Sequence, residues 1–156
     1  MSINSAASIG FLATNGGEID QEIYHVGLSV PAGRRAFVLF QDISASENSY
    51  TIELITAANG FTGGTEGYYS PLREGDVEVV QSRAYGGVTP DGAISVHYQT
   101  FIDAGSTSGT NRSPASVLSD EILRSWVSSP IIRITRAAGG APYRLAVNAT
   151  IYEEAE

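Results

Sequence analysis

Tyr143-Arg144-Leu145-Ala146-Val147-Asn148-Ala149-Thr150-Ile151-Tyr152 decides the fold class. Tyr143, Leu145, Val147, Ala149 and Ile151 fall on one face of an extended chain, with polar or small residues between them. Side chains of a strand point alternately to opposite faces, so this period of two describes a strand with one buried side. The same reading applies upstream. Tyr24, Val26, Leu28 and Val30 alternate with His25, Gly27 and Ser29, and Tyr50, Ile52 and Leu54 repeat the pattern. Ala36-Phe37-Val38-Leu39-Phe40 is apolar on both faces, as expected of a strand covered on both sides or lying at a subunit contact.

Turn chemistry divides these runs. Pro31-Ala32-Gly33 ends the second strand, and Pro90-Asp91-Gly92 has the composition of a type I turn with a following glycine. The segments 77–85 and 93–103 are therefore expected to form one hairpin. The segments 131–137 and 143–152 are expected to form another across Gly139-Gly140. With a first strand at 9–14, the chain reads as all-β: a single β-sandwich or jelly-roll-like domain of about eight antiparallel strands, residues 9–156, preceded by an N-terminal arm, residues 1–8. One segment departs from the pattern. Ser113-Pro114 is a helix-start signature, and Leu118, Ile122 and Trp126 recur every fourth residue, predicting one short helix at about 114–125. The expected core comprises Val26, Leu28, Phe37, Leu39, Ile52, Leu54, Val79, Ile94, Val96, Ile132, Ile134, Leu145 and Val147.

Composition bounds the chemistry. The 156 residues contain no cysteine, which removes disulfides, thiolate metal sites and thiol nucleophiles. Nine cations, all arginine, stand against seventeen acids, a net charge of −8, and no stretch gathers the arginines into a basic stripe. Binding to nucleic acid or to anionic membranes, both of which draw on clustered cations, is therefore not expected. The start of the chain lacks the basic and apolar regions of a signal peptide, and no run approaches the roughly 20 apolar residues that span a bilayer, so synthesis and folding in the cytoplasm are expected.

Catalytic templates are missing. His25 and His97 each sit inside a strand, with none of the spacings that mark zinc or nucleophile sites. Glu74, Asp76 and Glu78 cluster without a calcium-loop pattern and read as a solvated strand edge. No enzyme activity, cofactor or metal is expected. The most informative stretch is 57–76, a long loop rich in glycine that carries Phe61, Tyr68, Tyr69 and Arg73. Aromatic and arginine side chains dominate binding hot spots, so these four are the candidate partner-binding residues. The same set also suits a sugar, on which flat rings stack, and the tyrosines could instead fold back onto the sandwich.

An acidic, cysteine-free chain of alternating strands, with a glycine-rich loop and a small-residue N-terminal arm, resembles the bacteriophage capsid decoration (cement) proteins and related virion accessory proteins. The resemblance is one of style across the whole chain. It implies a non-enzymatic homo-oligomer, commonly a trimer, bound to the major capsid protein lattice on the outer surface of the virion. The alternative is a carbohydrate- or receptor-binding β-sandwich module, and after it a small hydrolase on a β scaffold.

Overall fold

The computed structural model describes residues 6–13, 19–45, 49–71, 80–102 and 124–155. Thirteen strands run through them: β1 (Ala6–Ala13), β2 (Ile23–Ser29), β3 (Arg34–Ala45), β4 (Tyr50–Ala57), β5 (Phe61–Thr62), β6 (Thr65–Glu66), β7 (Tyr68–Pro71), β8 (Arg83–Gly86), β9 (Thr89–Pro90), β10 (Ile94–Ile102), β11 (Arg124–Trp126), β12 (Ile131–Arg136) and β13 (Leu145–Ala155). They form a five-stranded sheet in the order β11-β3-β13-β1-β7, a six-stranded sheet in the order β10-β4-β12-β2-β8-β6, and a ribbon of β5 and β9.

Eight of these strands build a jelly roll. β1 pairs with β13, β2 with β12, β3 with β11 and β4 with β10, all antiparallel. The chain is thus paired first with last, like one long hairpin rolled so that successive pairs alternate between the two sheets. This corrects the two expected hairpins: β12 and β13 lie in different sheets, and β8 pairs with β2 and β6 rather than with β10. Turn residues fix where a chain reverses, not which strand it then joins. The strand count is also higher than eight, because residues 58–93, between β4 and β10, add the five short strands β5 to β9.

The expected helix at 114–125 falls outside the described residues except for its end. Arg124 and Ser125 are extended in β11 and pair with Val38 and Phe37. Trp126 is buried in the core from that strand, and the described residues contain no helix. The arm boundary moves as well, since Ala6, Ala7 and Ser8 open β1 and pair with both β13 and β7, or with β13 alone in the case of Ala6.

Between the sheets lies a core that includes Ile9, Val26, Leu28, Val38, Ile43, Ile52, Leu54, Ile132, Ile134, Leu145, Val147 and Ile151. Phe37 and Leu39, expected in it, are half-buried on the outer side, and Ala36 and Val38 take the inward positions. A bulge explains how the same strand keeps facing inward further along. Ala149 pairs with Phe40 and Asn148 with Asp42, so Gln41 is an extra residue and the inward set changes from Ala36 and Val38 to Ile43 and Ala45. Ile94 and Val96 are also corrected: they pair with Ala57 and Ile55 on the outer face of the six-stranded sheet. Val79 lies outside the described residues.

A sheet crossing closes one side of the sandwich. β6 pairs with β8 in one sheet and β7 pairs with β1 in the other, leaving Gly67 alone to make the passage. Its N–H donates to the Ala84 carbonyl at 2.7 Å. A Cβ at this position would sit 1.8 Å from the Gly10 carbonyl oxygen, so only glycine fits. Gly67→Ala is expected to destabilise the protein by about 3 kcal/mol or more, the upper range for forcing atoms into packed space, as read by chemical denaturation.

A buried carboxylate closes the end of the core. Glu153 continues the inward face of β13 and is only 2 % exposed. It accepts hydrogen bonds from Ser82 Oγ at 2.6 Å, Ser82 N at 3.0 Å, Gln81 N at 3.1 Å and Arg34 Nε at 2.8 Å. Burial alone would raise its pKa, but the bonds from Ser82, Gln81 and Arg34 outweigh burial and hold it below the usual carboxylate value. The stability this carboxylate supplies is therefore present above the unfolded-chain value of about 4.3 and is lost as the pH falls through the lower folded value. Glu153→Gln is expected to cost about 2–3 kcal/mol near neutral pH and to make the loss of stability at acid pH shallower, as measured by denaturation across a pH series.

Candidate functional site

The outer face of the six-stranded sheet carries its side chains in rows that run across the strands. Residues paired directly across an antiparallel ladder share a face. One row runs Val96–Ile55–Ile131–Gly27–Tyr85 across five strands. A second runs Gln99–Glu53–Arg133–His25, and a third runs Phe101–Thr51–Thr135–Ile23. The face therefore alternates an apolar row, a charged row and a mixed row.

The first row is roofed at its middle. Ile55, Ala57, Val88 and Ile131 form a second buried cluster, separate from the main core, with Phe61 and Tyr85 packed against it. Phe61 reaches it from the β5–β9 ribbon, and its ring occupies the space over Gly27, where a Cβ would lie 2.5 Å from the ring edge. The second row is held by a two-pronged ion pair, Arg133 Nε to Glu53 Oε1 at 2.7 Å and Nη2 to Oε2 at 3.0 Å. His25 beside it is shifted below its ordinary pKa, first by burial and then by the Arg133 charge, with Glu53 acting in the opposite sense.

At the β10 margin the roof is absent and apolar side chains meet solvent. Ile94 is 42 % exposed, Val96 50 % and Phe101 75 %, and Ile23, at the far end of the third row, is 51 % exposed. Phe101 also borders a groove of about 340 Å³ lined by Tyr50, Thr51, Thr135 and Arg136, among others. Solvent-facing apolar side chains grouped on one sheet margin mark an interaction surface. Of these residues, the sequence places Ile94 and Val96 in the core. The signal that separates them is a break in alternation: Ile94 and Val96 occupy even positions and Phe101 an odd one. Such a break requires an extra residue between them, and that residue is His97. His97 turns toward the core side, its Nε2 hydrogen-bonded with Thr56 Oγ1 at 2.8 Å and its ring edge-on to Trp126 at 5.3 Å.

Three of the four candidate partner-binding residues are described, and these three do not converge. Phe61 lies on the outer face of the six-stranded sheet. Tyr68 lies on the outer face of the other sheet, its ring packed on Gly10 and its hydroxyl donating to Asn148 Oδ1. Tyr69 points toward the core, and the Arg83 guanidinium stacks over its ring at 3.8 Å. Arg73 lies outside the described residues, as do Glu74, Asp76 and Glu78. The described part of the expected loop thus contributes strands to both sheets, and Phe61 and Tyr68 cover glycines. Among the described residues, no group of three or more histidine or acidic side chains is placed to hold a metal ion. No family model, curated protein or solved structure matches the chain.

Phe61→Ala would uncover Gly27 and the Ile55–Ile131 cluster beneath it. Because the ring is only half-buried, the expected cost is about 1–2 kcal/mol, less than for a fully buried phenylalanine, with the β circular dichroism spectrum retained. Equilibrium denaturation measures it.

Proposed function

We propose that this chain is a non-enzymatic structural component of a larger protein assembly, of the capsid decoration or virion accessory type, binding the outer surface of a shell. The observation that carries the reading is the solvent-facing apolar margin of Ile94, Val96 and Phe101 on a rigid jelly-roll sheet. Such a margin is suited to burial against another protein. The acidic net charge of −8 argues against contact with the packaged nucleic acid and in favour of a position outside the shell.

The test is binding of the purified chain to shells assembled from bacteriophage major capsid protein. The chain is expected to co-sediment with the shells and to saturate at a fixed number of copies per shell. Absence of binding, together with selective signal on a glycan array, would overturn the reading in favour of a carbohydrate-binding module.

A further inference from the structure

The two sheets present four edge strands among the described residues, and they are not equivalent. β6 has two residues, β11 three, and β7 four, ending in Pro71. Short strands and proline are the usual means of keeping an edge from pairing with another chain. β10 has nine residues, Ile94–Ile102, and its only described partner is β4. From Ala93 to Ile102 it carries no Asp, Glu, Lys or Arg, in a chain of net charge −8. It is the one long edge among the described strands, and two copies would approach along it without repulsion between charged side chains of the strand.

The bulge makes this edge complementary to itself. Ile94, Val96, Gln99 and Phe101 face outward, opposite Ala57, Ile55, Glu53 and Thr51, while Ser95, Tyr98 and Thr100 face the core side, opposite Thr56, Leu54 and Ile52. His97 is the extra residue and also turns to the core side. The order of faces is therefore a mirror image about the point midway between His97 and Tyr98. A second copy laid antiparallel about a two-fold axis there sets Ile94 against Phe101, Ser95 against Thr100, Val96 against Gln99, and His97 against Tyr98. Every pair then shares a face, as an antiparallel ladder requires. Centring the axis on Tyr98 itself would set Ile94 against Ile102, which belong to opposite faces.

We infer that the chain forms a two-fold dimer through β10, joining two six-stranded sheets into one continuous twelve-stranded sheet. The contact buries the Ile94, Val96 and Phe101 margin between copies, and Ile94 packs on Phe101 of the second copy at both ends. The inference refines the assembly reading by naming its first partner as self, and it replaces the three-fold arrangement that the family resemblance implies with a two-fold one.

Sedimentation equilibrium of the purified full chain over a concentration series tests it, without any shell present. The expected result is a species of twice the chain mass. Ile94→Lys alone and Phe101→Glu alone are each expected to shift the population to monomer. The I94K/F101E double variant places opposite charges across the axis at both ends and is expected to restore the dimer, with a salt-dependent affinity. A monomeric wild-type chain overturns the inference, as does a dimer that persists in either single variant. Failure of the double variant to recover overturns the proposed register and with it the β10 contact. Because the altered residues are exposed, circular dichroism is expected to show the same β spectrum in all three variants. A dimer that does not bind shells would leave this inference standing and defeat the assembly reading; a monomer that binds them would do the reverse.

Discussion

The contact between Gly67 and Gly10 is the constraint on which the two-sheet architecture depends. At Gly67 the chain leaves the six-stranded sheet and enters the five-stranded one within a single residue, so both sheets must come together at that point. Gly10 supplies the carbonyl against which it packs, and Gly10 is itself pressed between the Val147 carbonyl and the Tyr68 ring. Backbone approaches this close are open only to residues without a side chain. On this side the sandwich behaves as part of a barrel, with its sheets held at a fixed separation. The main core then fills the space that this separation leaves.

Aromatic rings do the complementary work of covering the glycines that strand pairing leaves bare. Tyr68 lies on Gly10, Phe61 on Gly27, and Phe11 crosses from β1 to Gly86 of β8 inside the core. Glycine in a strand has no side chain to pack and exposes its backbone; a ring from a neighbouring strand restores the lost contact. The insertion between β4 and β10 supplies two of the three rings. Its aromatic content is thus explained by the fold it stabilises, whichever surface binds a partner. Glu153 plays the equivalent part at the polar end of the core, where it fastens Gln81 and Ser82, at the start of the β8 arm, to β13 and β3.

The strands and the inward faces of β2, β4, β12 and β13 were legible in the sequence because each keeps an unbroken alternation with one apolar side. Where that alternation fails, the assignment of faces fails too. Ala36–Phe40 is apolar on both sides, and Gln41 then adds a residue, so nothing local distinguishes Phe37 from Val38; the choice is made by pairing Val38 with buried Ile151. Ile94 and Val96 look like core until the register with β4 sets them outside. Strand partners were illegible for a different reason. Turn residues at 86–92 and 138–142 suggest hairpins, but a jelly roll pairs strands that are distant in sequence, and local signals carry no information about those partners. Within the glycine-rich stretch 57–76, the strands between Phe61 and Pro71 were illegible because they are two to four residues long, too short for periodicity to register.

The side of the sandwich opposite Gly67 is built on other terms. There the sheets end in β10 and β11, and among the described contacts they meet through the ring of His97 against Trp126 rather than through a crossing chain. The bulge at His97 serves this junction, because the extra residue sets both His97 and Tyr98 on the inner side of the sheet, Tyr98 packed against the core and His97 exposed beside Trp126, while Ile94, Val96 and Phe101 turn outward. One local irregularity therefore has two consequences: it brings the His97 ring against Trp126 and Tyr98 against the core, and it leaves an uncharged edge whose faces mirror each other. A strand without the bulge would keep one parity throughout and could satisfy only registers centred on a residue. The position of the axis inferred for the dimer follows from this change of parity at His97, which ties the packing of the open margin to the contact between copies.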